Sequence, residues 1–287
     1  MFISKKQQQK IFSLLIVSLL TFGYSLFDQA RASSQTQVFV FDVGQGLSQF
    51  IKTKEGVDIL IDTGPNNDVV THLRRVMGMW DKSIDILVLT HAHFDHIGGT
   101  LEVLKEFEVG RVIVTQAKND SLVMQYILDE LALRAIPIEY ADQYKKYEID
   151  NDTSYELLFP TLQAPTVVEN PNNWSVISKF VDEDFSMLFP GDAEIEEEGF
   201  LVQQVQDLDV DVVVAPHHGS KTSSTEEFLK ATTPDLIIIS SGKNNEYGHP
   251  HKQALERMKA IGAVIKRTDE EGTVIIQTKL QSLNTKR

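Results

Sequence analysis

Within the sequence, Thr90-His91-Ala92-His93-Phe94-Asp95-His96-Ile97-Gly98-Gly99 gathers three histidines and an aspartate in six residues. It follows the apolar run Ile84–Leu89, which is short and rich in branched side chains, and which therefore predicts a buried strand. Folds of the α/β type bind their ligands at the carboxyl ends of such strands. Gly98 and Gly99 then allow a tight turn before a helix that begins near Thr100.

These side chains form a plausible set of metal ligands. Imidazole and carboxylate donors together suit Zn, Fe or Mn, and the chain has no cysteine whose thiolate would favour one of them. A lone histidine is usually a surface or core residue, and a single His-x-His pair can arise by chance. Three histidines and one aspartate on one turn after a strand are much harder to explain by packing alone. The stretch therefore predicts a metal site.

The pattern His-x-His-x-Asp-His-x-Gly-Gly after a strand resembles the signature of the metallo-β-lactamase-fold hydrolases. Five further segments occur in order and narrow the resemblance: Asp42-Val43-Gly44-Gln45-Gly46, Ile59-Leu60-Ile61-Asp62-Thr63-Gly64, Gly191-Asp192-Ala193-Glu194, His217-His218-Gly219-Ser220 and Tyr247-Gly248-His249-Pro250-His251. Together they resemble the hydrolase-like domain of competence (DNA-uptake) proteins of the ComEC/Rec2 type, and the related phosphorylcholine esterase domains. The resemblance spans roughly residues 38–278.

The resemblance implies the four-layer αββα sandwich of the metallo-β-lactamase fold. Pattern alone predicts a mixed α/β (α+β) chain with two strand-rich halves and metal ligands at strand ends. No linker or low-complexity segment divides the chain, so residues 33–287 are expected to form one domain. The last strands, Val264-Ile265 and Thr273–Gln277, are expected to pair with each other as a terminal hairpin.

Residues 1–32 have the features of a secretory signal peptide. A lysine-rich start precedes an apolar run from Ile11 to about Phe27, and Ala30-Arg31-Ala32 offers a small-x-small cleavage site. The alternative is an uncleaved membrane anchor over residues 11–27, although its Ser, Thr and Gly content makes that run a weak span. Cleavage would give a secreted or periplasmic protein with no stable membrane insertion.

Charge and cysteine content limit the possible partners. Loss of residues 1–32, which hold four basic residues and one acidic residue, would change the formal net charge from −14 to −17. So acidic a chain has no overall field that attracts phosphate backbones, and any nucleic acid would have to be held locally. About 255 residues would remain, enough for a sizeable core without disulfides. The sequence leaves the oligomeric state open.

By resemblance, the chain binds two divalent ions, Zn or Mn, through His91, His93, Asp95, His96, Asp192 and His218, with His217 as the alternate to His218. His91 and His93 would serve the first ion, and Asp95 and His96 the second. Asp192 would bridge both ions or bind the second. Asp62 would orient the histidine loop, although a plain turn-forming role explains it equally well.

One position departs from the family pattern. The family usually supplies a further histidine to the first ion, about twenty residues before Asp192, and this chain has Asn172 there. The competence-type proteins resemble it in having Asn-x-x-Ser at this point, here Asn172-Asn173-Trp174-Ser175. An amide carbonyl is a weaker and harder ligand than imidazole. One of the two sites is therefore expected to be weaker than the other.

The resemblance also implies catalytic roles for Asp95, Asp192 and His249. The aspartates would orient a water activated by the ions, and His249 would steady a phosphate oxygen or protonate the leaving group. Further substrate contacts are expected from Asn172, Ser220 and His251. His249 and His251 precede a helix N-terminus, which favours anions, although a purely structural loop role stays open for both.

The sequence thus predicts an exported metal-dependent hydrolase, with a phosphodiesterase as the leading hypothesis. Its substrate would be extracellular DNA, a phosphodiester head group or a nucleotide messenger, and export favours a substrate outside the cell. One alternative is an acyl hydrolase of the lactone or β-lactam type, because the same water can attack a carbonyl. The other is a non-catalytic binding protein related to competence.

Overall fold

The computed structural model describes residues 9–14, 16, 18, 35–78, 81–117, 120–161 and 170–278. Most of the predicted signal peptide, and of the alternative anchor over residues 11–27, lies outside these ranges. Within them, no helix combines the length and the apolar character that crossing a bilayer requires.

The described residues form fourteen strands: β1 Gln37–Val40, β2 Gln49–Lys52, β3 Asp58–Ile61, β4 Ser83–Leu89, β5 Glu108–Thr115, β6 Ile138–Ala141, β7 Lys145–Glu148, β8 Thr153–Phe159, β9 Ile177–Asp182, β10 Phe185–Phe189, β11 Val212–Val214, β12 Leu236–Ile239, β13 Val264–Arg267 and β14 Val274–Gln277. They make two seven-stranded sheets, ordered β14-β1-β2-β3-β4-β5-β6 and β13-β12-β11-β10-β9-β8-β7. Strands β3 to β6 run parallel in the first sheet. Strands β10 to β13 do the same in the second.

From residue 35 onward, the helices within the described residues are α1 Asp68–Met77, α2 Phe94–Ile97, α3 Thr100–Glu106, α4 Leu122–Leu133, α5 Ile195–Gln204, α6 Glu226–Thr232, α7 Lys252–Ala260 and α8 Thr268–Glu271, with 3₁₀ turns at Pro171–Trp174 and Pro216–Gly219. Side-chain caps begin several of them, since Ser121 accepts a hydrogen bond from the Met124 amide and Thr225 one from Phe228. The helix predicted near Thr100 begins at that residue.

Alternation along the strands creates three apolar layers. In β4, Leu87 and Leu89 pack under the helices of the first half, whereas Ile86 and Val88 face the core between the sheets. A third cluster packs α5, α6 and α7 on the outer face of the second sheet. The layers are therefore helices, sheet, sheet and helices, and the predicted αββα sandwich is confirmed.

The expected terminal hairpin is wrong. Strand β13 pairs with β12 at the edge of the second sheet, and β14 pairs with β1 in the first sheet. The two are separated by α8, across which the chain changes sheet. The pattern of β14 explains its position, because Val274 and Ile276 are buried between the sheets whereas Ile275 is 55% exposed. Its apolar face completes the central core, which a hairpin with β13 would not allow.

Gly46 lies where the loop after β1 passes against the histidine loop. The Leu47 amide donates to the Asp95 carbonyl at 3.1 Å, and Ser240 Oγ donates to the Gly46 carbonyl at 2.8 Å. A Cβ atom at Gly46 would lie 2.4 Å from the Asp95 carbonyl oxygen, and its φ of +148° disfavours other residues. The position therefore requires glycine for both space and backbone conformation.

We expect Gly46→Ala to lower the free energy of unfolding by about 3 kcal/mol, because backbone strain and displacement of the Asp95 carbonyl both contribute. Gly44→Ala, in the same loop, is the matched control: its φ is +75°, but no atom lies within 4 Å of an added Cβ. Backbone strain alone should cost it about 1 kcal/mol. Urea unfolding measures both, and equal losses would contradict the steric argument.

Candidate metal centre

The predicted ligands meet where the parallel strands of both sheets end. Loops after β3 and β4 supply Asp62 and the histidine stretch, and loops after β10, β11 and β12 supply Asp192, the His217-His218 pair and His249. They surround a cleft of about 490 Å³, whose walls include His93, Asp95, Asn172, Asp192, His217, His218 and His249. The carboxyl ends of strands thus carry the site, as in other α/β proteins.

Asp62 holds the histidine loop in place. It is fully buried, with a left-handed φ of 57°. Its Oδ1 accepts from the Thr90 amide at 2.8 Å, and its Oδ2 accepts from Thr90 Oγ1 and lies 2.7 Å from His96 Nδ1. Burial raises the pKa of Asp62, against the opposing charge of His96. With Nδ1 held by Asp62, Nε2 of His96 faces Asp192 Oδ1 at 3.1 Å.

His91 approaches the other oxygen of Asp192, and donor atoms of His91, His96 and Asp192 lie within 4.8 Å of one another. His91 Nε2 lies 3.0 Å from His93 Nδ1 and 3.7 Å from Asp192 Oδ2. Behind the ring, His91 Nδ1 contacts Thr90 Oγ1 at 3.1 Å and Ser175 Oγ at 3.2 Å. Ser175 Oγ also accepts from the Asp192 amide. Burial, followed by the nearby charge of His96, lowers the pKa of His91 well below its usual value.

A second set of donors lies around Asp192 Oδ1. His218 Nε2 is 3.2 Å from Asp95 Oδ2 and 3.7 Å from Asp192 Oδ1, and its Nδ1 donates to the Ser240 carbonyl at 2.9 Å. Donor atoms of Asp95, His96 and His218 lie within 4.8 Å of one another. Burial opposes the charge on His96 and His218, but the neighbouring carboxylates raise the pKa of both.

Several of these atoms have no hydrogen-bond partner among the described residues, although they are buried: His96 Nε2, His218 Nε2, Asp192 Oδ1 and Asn172 Oδ1. A buried polar atom left unsatisfied costs about 1–3 kcal/mol. Asn172, Asp192 and His218 line the cleft, His96 Nε2 lies 3.1 Å from Asp192 Oδ1, and the imidazole and carboxylate donors there suit Zn, Mn or Fe. The residues present therefore fit divalent cations.

His217 occupies a different place from His218. Its Nε2 lies 3.7 Å from Asp192 Oδ2, on the His91 side, and 3.4 Å from Asn172 Nδ2. Its Nδ1 lies 3.1 Å from Glu194 Oε1. Both histidines have left-handed backbones, with φ values of 50° and 54°. The structure thus directs the two neighbouring rings to opposite oxygens of Asp192.

The predicted substrate contacts are not all brought to the cleft. Ser220 is buried, with its Oγ 2.9 Å from Thr222 Oγ1, and His251 Nδ1 accepts from the Lys221 amide at 3.2 Å. Neither belongs to the cleft wall. His249 does, and burial together with the nearby His218 and His217 lowers its pKa to about 4.

Sequence reasoning missed residues that the structure places here. Ser175 supports both His91 and Asp192, and its signal was present in the Asn-x-x-Ser pattern. Phe94 and Tyr247 line the cleft although they are 59% and 57% exposed. Large exposed aromatic side chains beside a polar cleft are informative because such residues are usually buried. Among the described residues, the cleft wall contains no lysine or arginine.

Comparison with known proteins agrees with this geometry. The family model described as the metallo-beta-lactamase superfamily matches residues 41–243. The chain belongs to this superfamily. Igni18, a metallo hydrolase from Ignicoccus hospitalis, has the same fold, with a TM-score of 0.54 at 16% identity over 85% of this chain and 100% of its own. So does CmlA, a diiron beta-hydroxylase from Streptomyces venezuelae, with a TM-score of 0.54 at 15% identity over 86% of this chain and 55% of its own.

Curated relatives include ComE operon protein 3 of Bacillus subtilis, which is 29% identical over 88% of this chain and 34% of its own length. Recombination protein 2 of Haemophilus influenzae is 29% identical over 90% of this chain and 31% of its own. The predicted resemblance to competence proteins is therefore confirmed. The chain spans about a third of the length of these relatives. The fold is that of metallo-hydrolases and implies divalent metal ions.

We expect Asp62→Asn to weaken binding of a divalent ion by about 10–100-fold, as changes to residues that orient a ligand do. The new amide would donate a hydrogen bond to His96 Nδ1, so the ring proton would move to Nε2. His96 Nε2, which faces Asp192, would then have no lone pair with which to bind the ion. Titration against a chelating indicator measures the affinity. Asp211→Asn is the matched control, because Asp211 Oδ2 also accepts from an amide and a hydroxyl, those of Ser186. Equal affinity in both variants would contradict the orienting role.

Proposed function

We propose that this chain is an exported, metal-dependent phosphodiesterase. The observation that supports it is the buried carboxylate of Asp192, which presents one oxygen to each of two donor groups at the floor of an open cleft. We assign the ions to His91, His93 and Asp192 on one side, and to Asp95, His96, Asp192 and His218 on the other. When bound, two such ions supply Lewis-acid polarisation of a phosphoryl oxygen and an activated water.

The side chains themselves supply orientation. Asp62, Thr90 and Ser175 fix the rings of His91 and His96 from behind, so that the donor atoms are positioned before the substrate arrives. Preorganised groups of this kind stabilise developing charge without the cost of reorganisation. His249 stands in the wall with its Nδ1 buried and unpartnered among the described residues. Because its pKa is lowered to about 4, the ring is neutral near pH 7, and we assign it an N–H hydrogen bond to a phosphate oxygen.

The phosphodiester assignment draws on the relatives as well as on the site. The names of two relatives, Competence protein ComA of Neisseria gonorrhoeae and Recombination protein 2 of Haemophilus influenzae, refer to competence and to recombination. Phosphoryl transfer is also the reaction that gains most from concentrated positive charge, because negative charge spreads over the phosphoryl oxygens. The signal-peptide features of residues 1–32 support the proposed export, and we propose a substrate outside the cytosol.

The rim of the cleft suggests which phosphodiester is bound. No described lysine or arginine lines the cleft, and Glu246 stands at its wall, so a run of phosphates would find little attraction there. Phe94 and Tyr247 instead offer exposed rings. Aromatic stacking contributes about 1–3 kcal/mol per base. We propose that a nucleobase next to the scissile phosphate stacks on these rings, as in a nucleotide or the end of a single strand.

Asp192→Asn should reduce hydrolysis of bis(p-nitrophenyl) phosphate, assayed with Zn or Mn, by more than about 100-fold, because both donor groups lose a shared charge. Far-UV circular dichroism should be unchanged. Asp207→Asn is the control, since that side chain is 82% exposed and remote from the cleft.

Turnover of nitrocefin or a homoserine lactone in place of the phosphodiester would contradict the proposal and favour an acyl hydrolase. A metal-loaded protein that turns over neither substrate would favour a binding protein.

Phe94→Ala and Tyr247→Ala should each raise KM for thymidine 5′-(p-nitrophenyl phosphate) by about 5–100-fold, because each removes a stacking surface. Their kcat should change little. KM for methyl p-nitrophenyl phosphate, which has no base, should stay constant. Tyr126→Ala is the control, because this tyrosine is 64% exposed on α4. Parallel losses on both esters would argue against base recognition.

A further inference from the structure

The His217 side chain stands where the first donor group lacks an imidazole. On the His91 side of the cleft, His91 Nε2 lies 3.0 Å from His93 Nδ1 and 3.7 Å from Asp192 Oδ2. His217 Nε2 lies 3.7 Å from Asp192 Oδ2, the same distance as His91 Nε2. The ring therefore approaches that oxygen as closely as an assigned ligand does.

Two polar side chains stand beside the ring nitrogens of His217. An amide nitrogen can only donate, so Asn172 Nδ2, 3.4 Å away, faces a lone pair on His217 Nε2. His217 Nδ1 is buried, lies 3.1 Å from Glu194 Oε1 and has no hydrogen bond among the described residues. A carboxylate behind the far nitrogen is the usual partner of a metal-bound histidine. Glu194 is itself held, because its Oε1 accepts from Thr222 Oγ1 and its side chain caps α5.

His218 is arranged in the same way on the opposite side. Its Nδ1 donates to the Ser240 carbonyl, and its Nε2 faces Asp95 and Asp192 Oδ1. Consecutive left-handed residues are uncommon outside glycine, and backbone strain of this kind marks functional positions. Here it turns adjacent rings, whose centroids are 6.3 Å apart, to different oxygens of one carboxylate.

We propose that His217 and His218 are not alternates but ligands of separate ions. His217 Nε2 joins His91, His93 and Asp192 Oδ2 at the first divalent cation, and His218 joins Asp95, His96 and Asp192 Oδ1 at the second. Glu194 is the positioning residue for His217, and Asn172 lies beside the ligand. Each cation then has four protein donors, so the departure at Asn172 does not leave the first site incomplete. This rests on the proposed metal centre but not on its reaction.

Metal content distinguishes two separate sites from a single site at which His217 and His218 alternate. The full chain is loaded with Zn, desalted and analysed by mass spectrometry, and we expect about two ions per chain. Glycine replaces each histidine because it accepts the left-handed φ without strain. His217→Gly and His218→Gly should each keep about one ion, and His217→Gly/His218→Gly should keep none. Retention of one ion by this double variant would show that the histidines alternate at a single site.

Pairs of substitutions identify which ion each histidine holds. His217→Gly/His93→Ala removes two ligands of the same ion and should keep one ion, whereas His217→Gly/Asp95→Ala affects both and should keep none. The reverse pattern would place His217 at the second ion. Added imidazole should restore the first ion in His217→Gly, a rescue that an unfolded variant would not show.

Glu194→Gln should weaken the first ion by about 10–100-fold and leave the affinity of the second unchanged. Asn172→Ala should keep both ions. If this variant lost one ion while His217→Gly kept both, Asn172 and not His217 would be the fourth ligand of the first ion, and the inference would be overturned. A wild-type chain without metal would reject the proposed function as well. Two ions without phosphodiester hydrolysis would reject that function and leave this arrangement standing.

Discussion

The carboxylate of Asp192 is the point at which the two halves of the molecule become one site. It follows β10 of the second sheet, yet its closest histidine, His96, lies on α2, which follows β4 of the first sheet. A buried carboxylate is costly unless it is paired. Burial acts to raise its pKa, but the charges of His96 and His218 overcome this and hold the pKa well below its usual value. The donor groups are therefore coupled through one side chain.

This coupling depends on the core between the sheets. The loops that carry the ligands follow parallel strands whose inward side chains, such as Val88, Phe189 and Val214, pack into one apolar layer. Because strands are stiff and packed, loops that leave their ends are held at fixed separations. Asp62 then acts locally, where its two oxygens hold the Thr90 backbone and the His96 ring. Packing places the loops, and hydrogen bonds place the rings.

Much of this could be predicted from the sequence, and the failures have physical causes. Apolar periodicity and a dense motif, both local signals, predict a mixed α/β chain with ligands at strand ends, and the family resemblance adds the αββα layers. The pairing of β14 with β1 could not be predicted, because partner choice depends on which sheet edge buries Ile276. Nor could the separate places of His217 and His218, since these depend on two left-handed backbones. The acidic residues near Glu194 are already explained by the favourable charge at a helix N-terminus. The sequence therefore offers no reason to expect that Glu194 lies beside His217.

The acidity of the chain and a phosphodiester substrate are compatible when charge is considered locally. A net charge of −14 repels a long polyanion, and the described cleft wall offers no lysine or arginine to offset this. Metal ions at the cleft floor would attract a single phosphate over a few ångströms. Binding along a nucleic-acid phosphate backbone needs a basic protein surface that extends much further. Under the proposed function, recognition comes from the exposed rings of Phe94 and Tyr247. The proposed substrate is therefore one phosphodiester beside one flat group, and not the length of a duplex.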